Sequence, residues 1–347
     1  MRLRGGPERR TLNTFRKVYT CIFLIVSTAS FAAPLRLFFI DVEGGQATLL
    51  VTPAGRSLLI DAGWPDFAGR DPIRIAAAMK EAGISKLDYV LVTHYHDDHV
   101  GGVPQLADRV KIGTFVDHGT NREDSDDTRA NYAAYEATVR GAKRLVLKPG
   151  DRIPVGGLEV EVVSSDGDSI AKPLQGAGQS NPLCAIEPSW PDDASENARS
   201  LGIVITFRRL RIVDLGDLTR KKELGLVCPA NLIGTVDLFV VSHHGFTQSN
   251  TRALVHALRP RVAIMDNGAR KGGSPDVWQT VHDSPGLVDL WQLHYAVESD
   301  KAHNVAADFI ANIDEKCEGK SIEVAAGADG TMTVTNTRTG FTQTYKK

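Results

Sequence analysis

The sequence has no excess of basic residues and no apolar run long enough for a comfortable membrane span. It carries 40 lysines and arginines against 42 aspartates and glutamates, a formal net charge of −2. Proteins that grip polymeric nucleic acid neutralise many phosphates with lysine and arginine side chains. The composition therefore gives no strong signal for nucleic-acid binding, while 42% hydrophobic and 24% charged residues are ordinary for a soluble globular chain.

Cysteine is also scarce, with four residues in the whole chain. Cys21 lies in an N-terminal apolar stretch, which leaves Cys184, Cys228 and Cys317 in the remainder. An odd number leaves at least one thiol free, and spacings this wide do not form a zinc knuckle. We therefore expect isolated buried cysteines, although an exported location would permit disulfides.

The N-terminus has the pattern of a secretory signal peptide. Basic residues precede the apolar residues 18–26, and the small-residue stretch 27–33 follows. This pattern predicts cleavage after Ala32 or Ala33, and the apolar stretch is shorter than the ~20 residues of a membrane-spanning helix. An uncleaved anchor is the alternative. After cleavage the protein would be periplasmic or secreted, with no membrane segment. Its formal net charge would be −7, because residues 1–33 carry six basic side chains and one acidic side chain.

Residues 93–102 carry the densest group of chemically active side chains, in the order Thr-His-Tyr-His-Asp-Asp-His-Val-Gly-Gly after an apolar run. Imidazole and carboxylate groups are good ligands for zinc and related divalent ions. A strand that runs into a tight loop lets His94 and His96 face one ion. Asp98 and His99 would then face a second ion, roughly 3.5–4 Å away. A solvated polar loop is the alternative, but the spacing and the Gly-Gly that follows favour a metal site.

Four further segments match blocks of one protein family, in the same order along the chain. They span residues 38–47, 58–63, 213–218 and 240–245. Together with the histidine-rich segment they resemble the metallo-β-lactamase superfamily over most of the chain. The Ser-His-His-Gly and Leu-Gly-Asp-Leu forms are similar in particular to the hydrolase domain of ComEC-type DNA-uptake proteins and their secreted stand-alone relatives. DNA binding is not carried over, because this chain has no long basic run.

The resemblance implies a centre of two divalent metal ions, with zinc favoured and manganese as the alternative. Most family members supply a third histidine to the first ion, but this sequence has no histidine between His118 and His243. The first ion would therefore be bound more loosely, with Asn197 in the region concerned and His118 as a further candidate. A turn aspartate is the alternative interpretation of Asp217. The implied ligands are His94 and His96 for the first ion, Asp98, His99 and His243 for the second ion, and Asp217 as the bridge.

The residues around these ligands receive roles as well. His243 and His244 are adjacent, and neighbouring side chains at a strand end point to opposite sides. We assign metal binding to His243, the first of the pair after the strand, and we place His244 near the substrate. Asp61 is expected to orient a ligating histidine, and Asp97 or Asp98 is expected to position the attacking water. The candidate pocket residues are His118, His294 and His303.

Hydrolysis is the reaction class that the resemblance implies. A bound divalent ion lowers the pKa of water from 15.7 to about 7, so that a metal-bound hydroxide is present at neutral pH. Our first hypothesis is a secreted binuclear hydrolase that acts on a small-molecule phosphoester or phosphodiester. The alternatives are a lactone, lactam or thioester hydrolase on the same scaffold, or a non-catalytic metal-binding module. The absent third histidine speaks against β-lactam hydrolysis.

The apolar periodicity predicts a domain of class α/β, with two sets of strands and helices outside them, over residues 34–347. This agrees with the four-layer αββα sandwich that the resemblance implies. Two segments break the periodicity: residues 164–200 are expected to form an active-site loop or insertion, and residues 117–127 are expected to line the metal cleft. Predicted strands span 35–42, 47–52, 57–60, 89–92, 112–116, 158–163, 203–207, 211–215, 238–241, 321–326 and 331–336, and predicted helices span 71–82, 128–140, 219–226, 251–258 and 275–282.

Overall fold

A computed structural model describes residues 5–8, 33–316 and 318–347. The predicted signal peptide and Cys317 therefore lie outside the described residues, apart from residues 5–8. The strands, in chain order, are β1 (Leu35–Phe39), β2 (Thr48–Val51), β3 (Ser57–Ile60), β4 (Lys86–Leu91), β5 (Lys111–Asp117), β6 (Arg144–Val146), β7 (Arg152–Ile153), β8 (Glu159–Ser165), β9 (Asp168–Ser169), β10 (Gln179–Ser180), β11 (Gly202–Phe207), β12 (Leu210–Asp214), β13 (Ala230–Asn231), β14 (Leu238–Val240), β15 (Val262–Met265), β16 (Asp289–His294), β17 (Ile310–Asn312), β18 (Ile322–Ala326), β19 (Met332–Asn336) and β20 (Thr342–Tyr345).

Within the described residues, seven α-helices accompany the strands, and short 3₁₀ turns connect several of the elements. No helix in the described parts of the chain combines the length and the apolar character that a membrane crossing requires. The helices are α1 (Arg70–Glu81), α2 (Asp97–Val100), α3 (Val103–Ala107), α4 (Asp126–Val139), α5 (Arg220–Val227), α6 (Arg252–Leu258) and α7 (Pro275–His282).

The strands form two large sheets. The first has the order β20-β19-β18-β1-β2-β3-β4-β5-β6, and the second has the order β17-β16-β15-β14-β12-β11-β8-β7 with β9 beside β8. Each sheet combines antiparallel hairpins with a parallel section, which is β3 to β6 in the first sheet and β12 with β14 to β17 in the second. Strands β10 and β13 pair with each other in a separate ribbon.

Alternation along the strands produces the layers. Successive side chains of a strand point to opposite faces, so Leu58 packs in the core between the two sheets and Leu59 packs under the helices of the first sheet. In the second sheet Ile212 joins the central core, and Val213 packs under α5, α6 and α7. Three apolar cores therefore separate four layers, and the predicted αββα sandwich is confirmed.

Most predicted elements are present within a few residues of their expected bounds. Helix α1 begins one residue before its predicted start, with Gly69 at its N-terminus, and the Asp71 carboxylate accepts a hydrogen bond from Trp64 N. The sequence reading also missed β15 and β16. Their runs are short and fully buried inside the parallel section, where the alternation that marks a half-exposed strand is absent.

The segment 164–200 is not an unstructured loop. Strand β9 pairs with β8 and β10 pairs with β13, and two 3₁₀ turns follow at Pro182–Ala185 and Glu196–Arg199. A disulfide joins Cys184 to Cys228. The prediction of isolated cysteines was therefore wrong for this pair, because the two residues are 44 positions apart in sequence and meet only when the segment folds against the end of α5.

Tyr345 connects the last strand of the first sheet to the second sheet. Its hydroxyl accepts a hydrogen bond from Trp291 Nε1 at 2.9 Å and donates one to Asp289 Oδ2 at 2.7 Å. Because Trp291 is fully buried, loss of the hydroxyl leaves its N–H without a partner.

We expect Tyr345→Phe to lower the free energy of unfolding by about 1–3 kcal/mol, the cost of an unsatisfied buried donor. Urea unfolding of the purified protein measures it. Tyr89→Phe is the matched control, because the Tyr89 hydroxyl makes one exposed hydrogen bond to Pro154 O, and its loss is expected to cost less than about 1 kcal/mol. Equal effects of the two substitutions would contradict a role for Tyr345 between the sheets.

Candidate metal centre

The chemically active loops all follow strands of the parallel sections. The chain leaves β3 into Asp61, β4 into the histidine-rich segment, β12 into Asp217, and β14 into the His243-His244 pair. Carboxyl ends of parallel strands meet at one edge of a sheet, where ligands usually bind. Both sheets therefore deliver side chains to one place.

The buried Asp61 carboxylate organises the start of the histidine-rich segment. It accepts hydrogen bonds from Thr93 N at 2.8 Å and from the Thr93 hydroxyl at 2.7 Å. His99 Nδ1 lies 2.7 Å from the same carboxylate, so this nitrogen carries the proton and His99 Nε2 is free to bind a cation. Asp61 thus lies where the sequence analysis expected an orienting residue.

Four buried side chains converge beyond His99. Ligand atoms of Asp98, His99, Asp217 and His244 all lie within 4.8 Å of one another. The closest pairs are His244 Nε2 to Asp98 Oδ2 at 3.0 Å, His99 Nε2 to His244 Nε2 at 3.2 Å, and His99 Nε2 to Asp98 Oδ2 and to Asp217 Oδ1 at 3.3 Å each.

These spacings fit a divalent ion. A tetrahedral zinc site with bonds of about 2.0–2.1 Å separates its ligand atoms by about 3.3 Å. Asp217 Oδ1 is buried and has no hydrogen-bond partner, and two imidazole nitrogens face each other at van der Waals distance. A shared cation satisfies all of these atoms at once, whereas hydrogen bonds within the group do not.

The structure places His244, and not the predicted His243, in this four-residue group. Both residues have positive φ, 54° and 53°, so the strand does not continue and the alternation on which the assignment depended does not apply. His244 Nδ1 lies 3.4 Å from Asp266 Oδ1, which holds the other side of its ring. His244, which was predicted to lie near the substrate, therefore lies among the candidate ligands.

His94 and His96 form a second group of potential ligands. His94 Nε2 lies 3.1 Å from His96 Nδ1 and 3.9 Å from Asp217 Oδ2. His94 Nδ1 lies 3.0 Å from the Thr93 hydroxyl oxygen, whose proton is directed to Asp61. His94 Nδ1 therefore carries the proton, and His94 Nε2 is available to an ion beside Asp217.

His243 contacts Asp217 Oδ2, the carboxylate oxygen that also lies near His94 and His244. His243 Nε2 is 3.4 Å from Asp217 Oδ2 and 3.4 Å from Asn197 Nδ2, and its Nδ1 is 3.3 Å from the Ser249 hydroxyl. Asn197 thus contacts a histidine of the centre. Asp217 contacts both groups, through His99 in one and His94 in the other.

The electrostatics of the centre favour a cation. Burial alone raises the pKa of Asp98 and Asp217, but the surrounding histidines outweigh burial and hold both values well below the ordinary range. Burial likewise lowers the pKa of His99, yet Asp217, Asp98 and Asp61 raise it well above its ordinary value. For His94, burial and the neighbouring histidines lower the pKa. The carboxylates of Asp98 and Asp217 are therefore ionised, and they attract positively charged groups.

The other predicted residues have different positions. Asp97 accepts a hydrogen bond from Asp98 N, and burial followed by repulsion from Asp98 raises its pKa. His118 Nε2 lies 2.9 Å from the carboxylate of the buried Glu196. His303 pairs with Asp300 and packs on Trp278 instead of a ligand. His294 pairs with Asp41 at 2.7 Å.

Sequence reasoning missed several residues that contact the predicted ligands. Lys271 forms an ion pair with the Asp98 carboxylate, and its ammonium lies 4.6 Å from the centre of the Trp64 ring. Glu123 Oε2 lies 3.0 Å from His96 Nε2. Glu123 belongs to the segment 117–127, which was expected to line the metal cleft. That expectation is the sequence signal from which a contact of Glu123 with the centre could have been predicted. Lys271 follows a strand that was not predicted.

Glu223 supports the turn that carries His243 and His244. Its carboxylate accepts hydrogen bonds from Asn250 N at 2.6 Å and Thr251 N at 2.7 Å. The Asn250 side chain in turn bonds both Ser242 N and Ser242 O. Burial raises the pKa of Glu223 from its ordinary value of 4.5 to about 7, although these hydrogen bonds oppose the change.

The raised pKa of Glu223 gives stability a defined pH dependence. The folded protein binds the Glu223 proton more tightly than the unfolded chain does. This protonation therefore stabilises the folded state fully below pH 4.5, and the stabilisation is lost as pH rises through about 7. We expect the free energy of unfolding of wild type, relative to Glu223→Gln, to fall by on the order of 3 kcal/mol between pH 4.5 and 8. Denaturant titrations at each pH measure this difference. The exposed Glu136→Gln on α4 is the control, and a pH-independent difference for Glu223→Gln would contradict the expectation.

The chain is similar in sequence and fold to several known proteins. The ComE operon protein 3 of Bacillus subtilis is 23% identical over 264 residues, which cover 72% of this chain and 30% of that protein. A hydroxyacylglutathione hydrolase of Acidiphilium cryptum is 33% identical over 104 residues, which cover 29% of this chain and 35% of the relative. The chain thus spans about a third of the length of these relatives. Among solved structures, the metal-dependent hydrolase of the β-lactamase superfamily Tm1679 aligns with 14% identity and a TM-score of 0.42, over 76% of this chain and 96% of its own.

The family assignment depends on a direct sequence match. Residues 40–172 match the family model described as the metallo-beta-lactamase superfamily. This segment includes Asp61 and the histidine-rich residues 93–102. The similarity to ComE operon protein 3 supports the predicted relation to ComEC-type hydrolase domains. The predicted resemblance is confirmed for residues 40–172, the part of the chain that matches a metallo-β-lactamase superfamily domain.

Proposed function

We propose that the protein is an exported, binuclear metal-dependent hydrolase that acts on a phosphoester or phosphodiester. The observation that carries this proposal is the convergence of Asp98, His99, Asp217 and His244 in a buried group with metal-like spacing, beside His94 and His96. The family match and the hydrolases among the relatives support the class of metal-dependent hydrolase.

The two groups of ligands would share Asp217. Asp98, His99 and His244 would hold one ion, and His94 and His96 would hold the other, with zinc as the proposed metal. When bound, such ions activate water as a nucleophile and stabilise negative charge on the attacked group. The protein's own contribution is to fix the ligands, because Asp61 orients His99 and, through the Thr93 hydroxyl, His94.

An anionic substrate is favoured by Lys271. Its ammonium lies against Asp98 and over the Trp64 ring, so a positive side chain borders the four-ligand group. An ion bound by Asp98 competes for that carboxylate and leaves the ammonium available to a phosphoryl oxygen.

Acyl hydrolysis is the second candidate. It includes the predicted lactone, lactam or thioester hydrolase, and the relatives named hydroxyacylglutathione hydrolase favour it, since their similarity reaches 33% identity over about 100 residues. Export is proposed from the N-terminal sequence pattern, and the Cys184–Cys228 disulfide is compatible with an oxidising compartment.

We expect the purified, metal-supplied protein to contain about two divalent ions per chain. His244→Ala is expected to lose about one of them, because it removes a ligand from the four-residue group. Elemental mass spectrometry measures the content, and His303→Ala is the control, since His303 pairs with Asp300 instead of a ligand. Fewer than one ion per wild-type chain would contradict a catalytic metal centre.

Substrate preference separates the two candidate activities. We expect turnover of bis-p-nitrophenyl phosphate and none above background for a chromogenic cephalosporin or a thioester. His96→Ala is expected to abolish turnover and to leave the circular dichroism spectrum unchanged, because His96 is partly exposed at the centre. Turnover of the thioester or the cephalosporin alone would replace the phosphoester assignment by acyl hydrolysis, and full activity of His96→Ala would show that the histidine-rich segment is structural.

A further inference from the structure

Glu123 contacts a predicted metal ligand from outside the ligand set. Its Oε2 atom lies 3.0 Å from His96 Nε2, the ring nitrogen opposite the one that faces His94. The same Oε2 atom accepts a hydrogen bond from Glu196 N at 2.8 Å. A carboxylate thus lies behind His96 and is itself held by the segment 164–200.

The position of Glu123 determines which nitrogen of His96 can bind an ion. A carboxylate accepts the proton on Nε2, so the Nδ1 lone pair is directed toward His94 Nε2, 3.1 Å away. Histidines that bind metals commonly donate their other N–H to a carboxylate, which fixes the tautomer and the ring orientation and raises the basicity of the ligand. Asp61 stands in the same relation to His99 in the other group.

The surroundings hold Glu123 in place before any ion binds. Glu123 N donates to Asn121 Oδ1, and Glu123 O accepts from the Thr128 hydroxyl. Glu196, which contacts Glu123 through its backbone, is fully buried and accepts hydrogen bonds from Tyr95 N and Arg122 N. The carboxylate therefore needs no rearrangement to act on His96.

We propose that Glu123 is a positioning residue for the first metal ion: it orients the His96 ring and raises the basicity of His96 Nδ1 toward an ion shared with His94 and Asp217. The proposal rests on the proposed two-metal centre. It also gives the segment 164–200 a role, since that segment fixes the Glu123 carboxylate.

Two substitutions separate charge from contact. In Glu123→Gln one amide oxygen can take the place of Oε2 and accept from both His96 Nε2 and Glu196 N, so the contacts remain and the negative charge is lost. Glu123→Ala removes both. Asp124→Asn is the matched control, because Asp124 is the next residue of the same loop and its side chain is 95% exposed in an ion pair with Arg129.

The measurement is zinc binding to the metal-free full chain in competition with a chromophoric chelator, which gives two stepwise dissociation constants. We expect the weaker constant to rise about 10–100-fold in Glu123→Ala and by a smaller factor of about 3–10 in Glu123→Gln. The tighter dissociation constant is expected to change by less than about two-fold in both Glu123 variants. In the Asp124→Asn control, both dissociation constants are expected to stay within about the same two-fold range. The ¹⁵N shifts of the His96 ring are expected to report loss of the single Nε2–H tautomer in Glu123→Ala.

Each alternative outcome has a clear meaning. Unchanged constants in both Glu123 variants, with two ions bound by the wild type, would overturn the positioning role and leave the proposed hydrolase intact. Failure of the wild type to bind two ions would overturn the proposed function itself. If Glu123→Ala weakens the binding of both ions equally and also lowers the unfolding free energy of the metal-free protein, Glu123 acts on the fold. Glu123→Gln keeps both contacts and therefore distinguishes that case from an effect of charge.

Discussion

The centre depends on one buried carboxylate, that of Asp61, which is held at a positive φ directly after β3. It accepts hydrogen bonds from the backbone and the hydroxyl of Thr93 and from His99 Nδ1. Through the Thr93 hydroxyl it also determines the proton position on His94. A buried carboxylate is costly without such partners, so the side chains around it have little freedom. One acidic group therefore aligns a histidine of each ligand group.

A second constraint comes from the Ser-His-His-Gly turn. Two successive left-handed residues reverse the usual arrangement of adjacent side chains, so that His244 joins Asp98 and His99 while His243 faces Asn197. The turn is supported by Asn250 and Glu223, both buried. Left-handed conformations of residues other than glycine cost energy and persist where the surroundings enforce them. The backbone strain is thus located at His243 and His244, the two adjacent residues whose side chains have different neighbours in the centre.

Sequence alone predicts the layers and most residues of the candidate centre, because strand alternation and the histidine spacing are local signals. The structure brings Asp98, His99 and Asp217 into one group with His244 and places His94 and His96 beside it. It groups His244 instead of His243 with these residues because both histidines have positive φ values, which the sequence does not encode locally. Glu123, Lys271 and the Cys184–Cys228 pair involve contacts between distant segments. Such contacts follow from tertiary packing and leave no periodic pattern.

The origin of the ligands in both sheets has a thermodynamic consequence. Asp98 and His99 follow β4 of the first sheet, whereas Asp217 and His244 follow β12 and β14 of the second. A cation held by all four would act as a noncovalent crosslink across the sandwich. Because the complete set exists only when both sheets are assembled, such binding would couple its free energy to that of folding. The concentration of free metal ion would then help to determine how often the two halves separate.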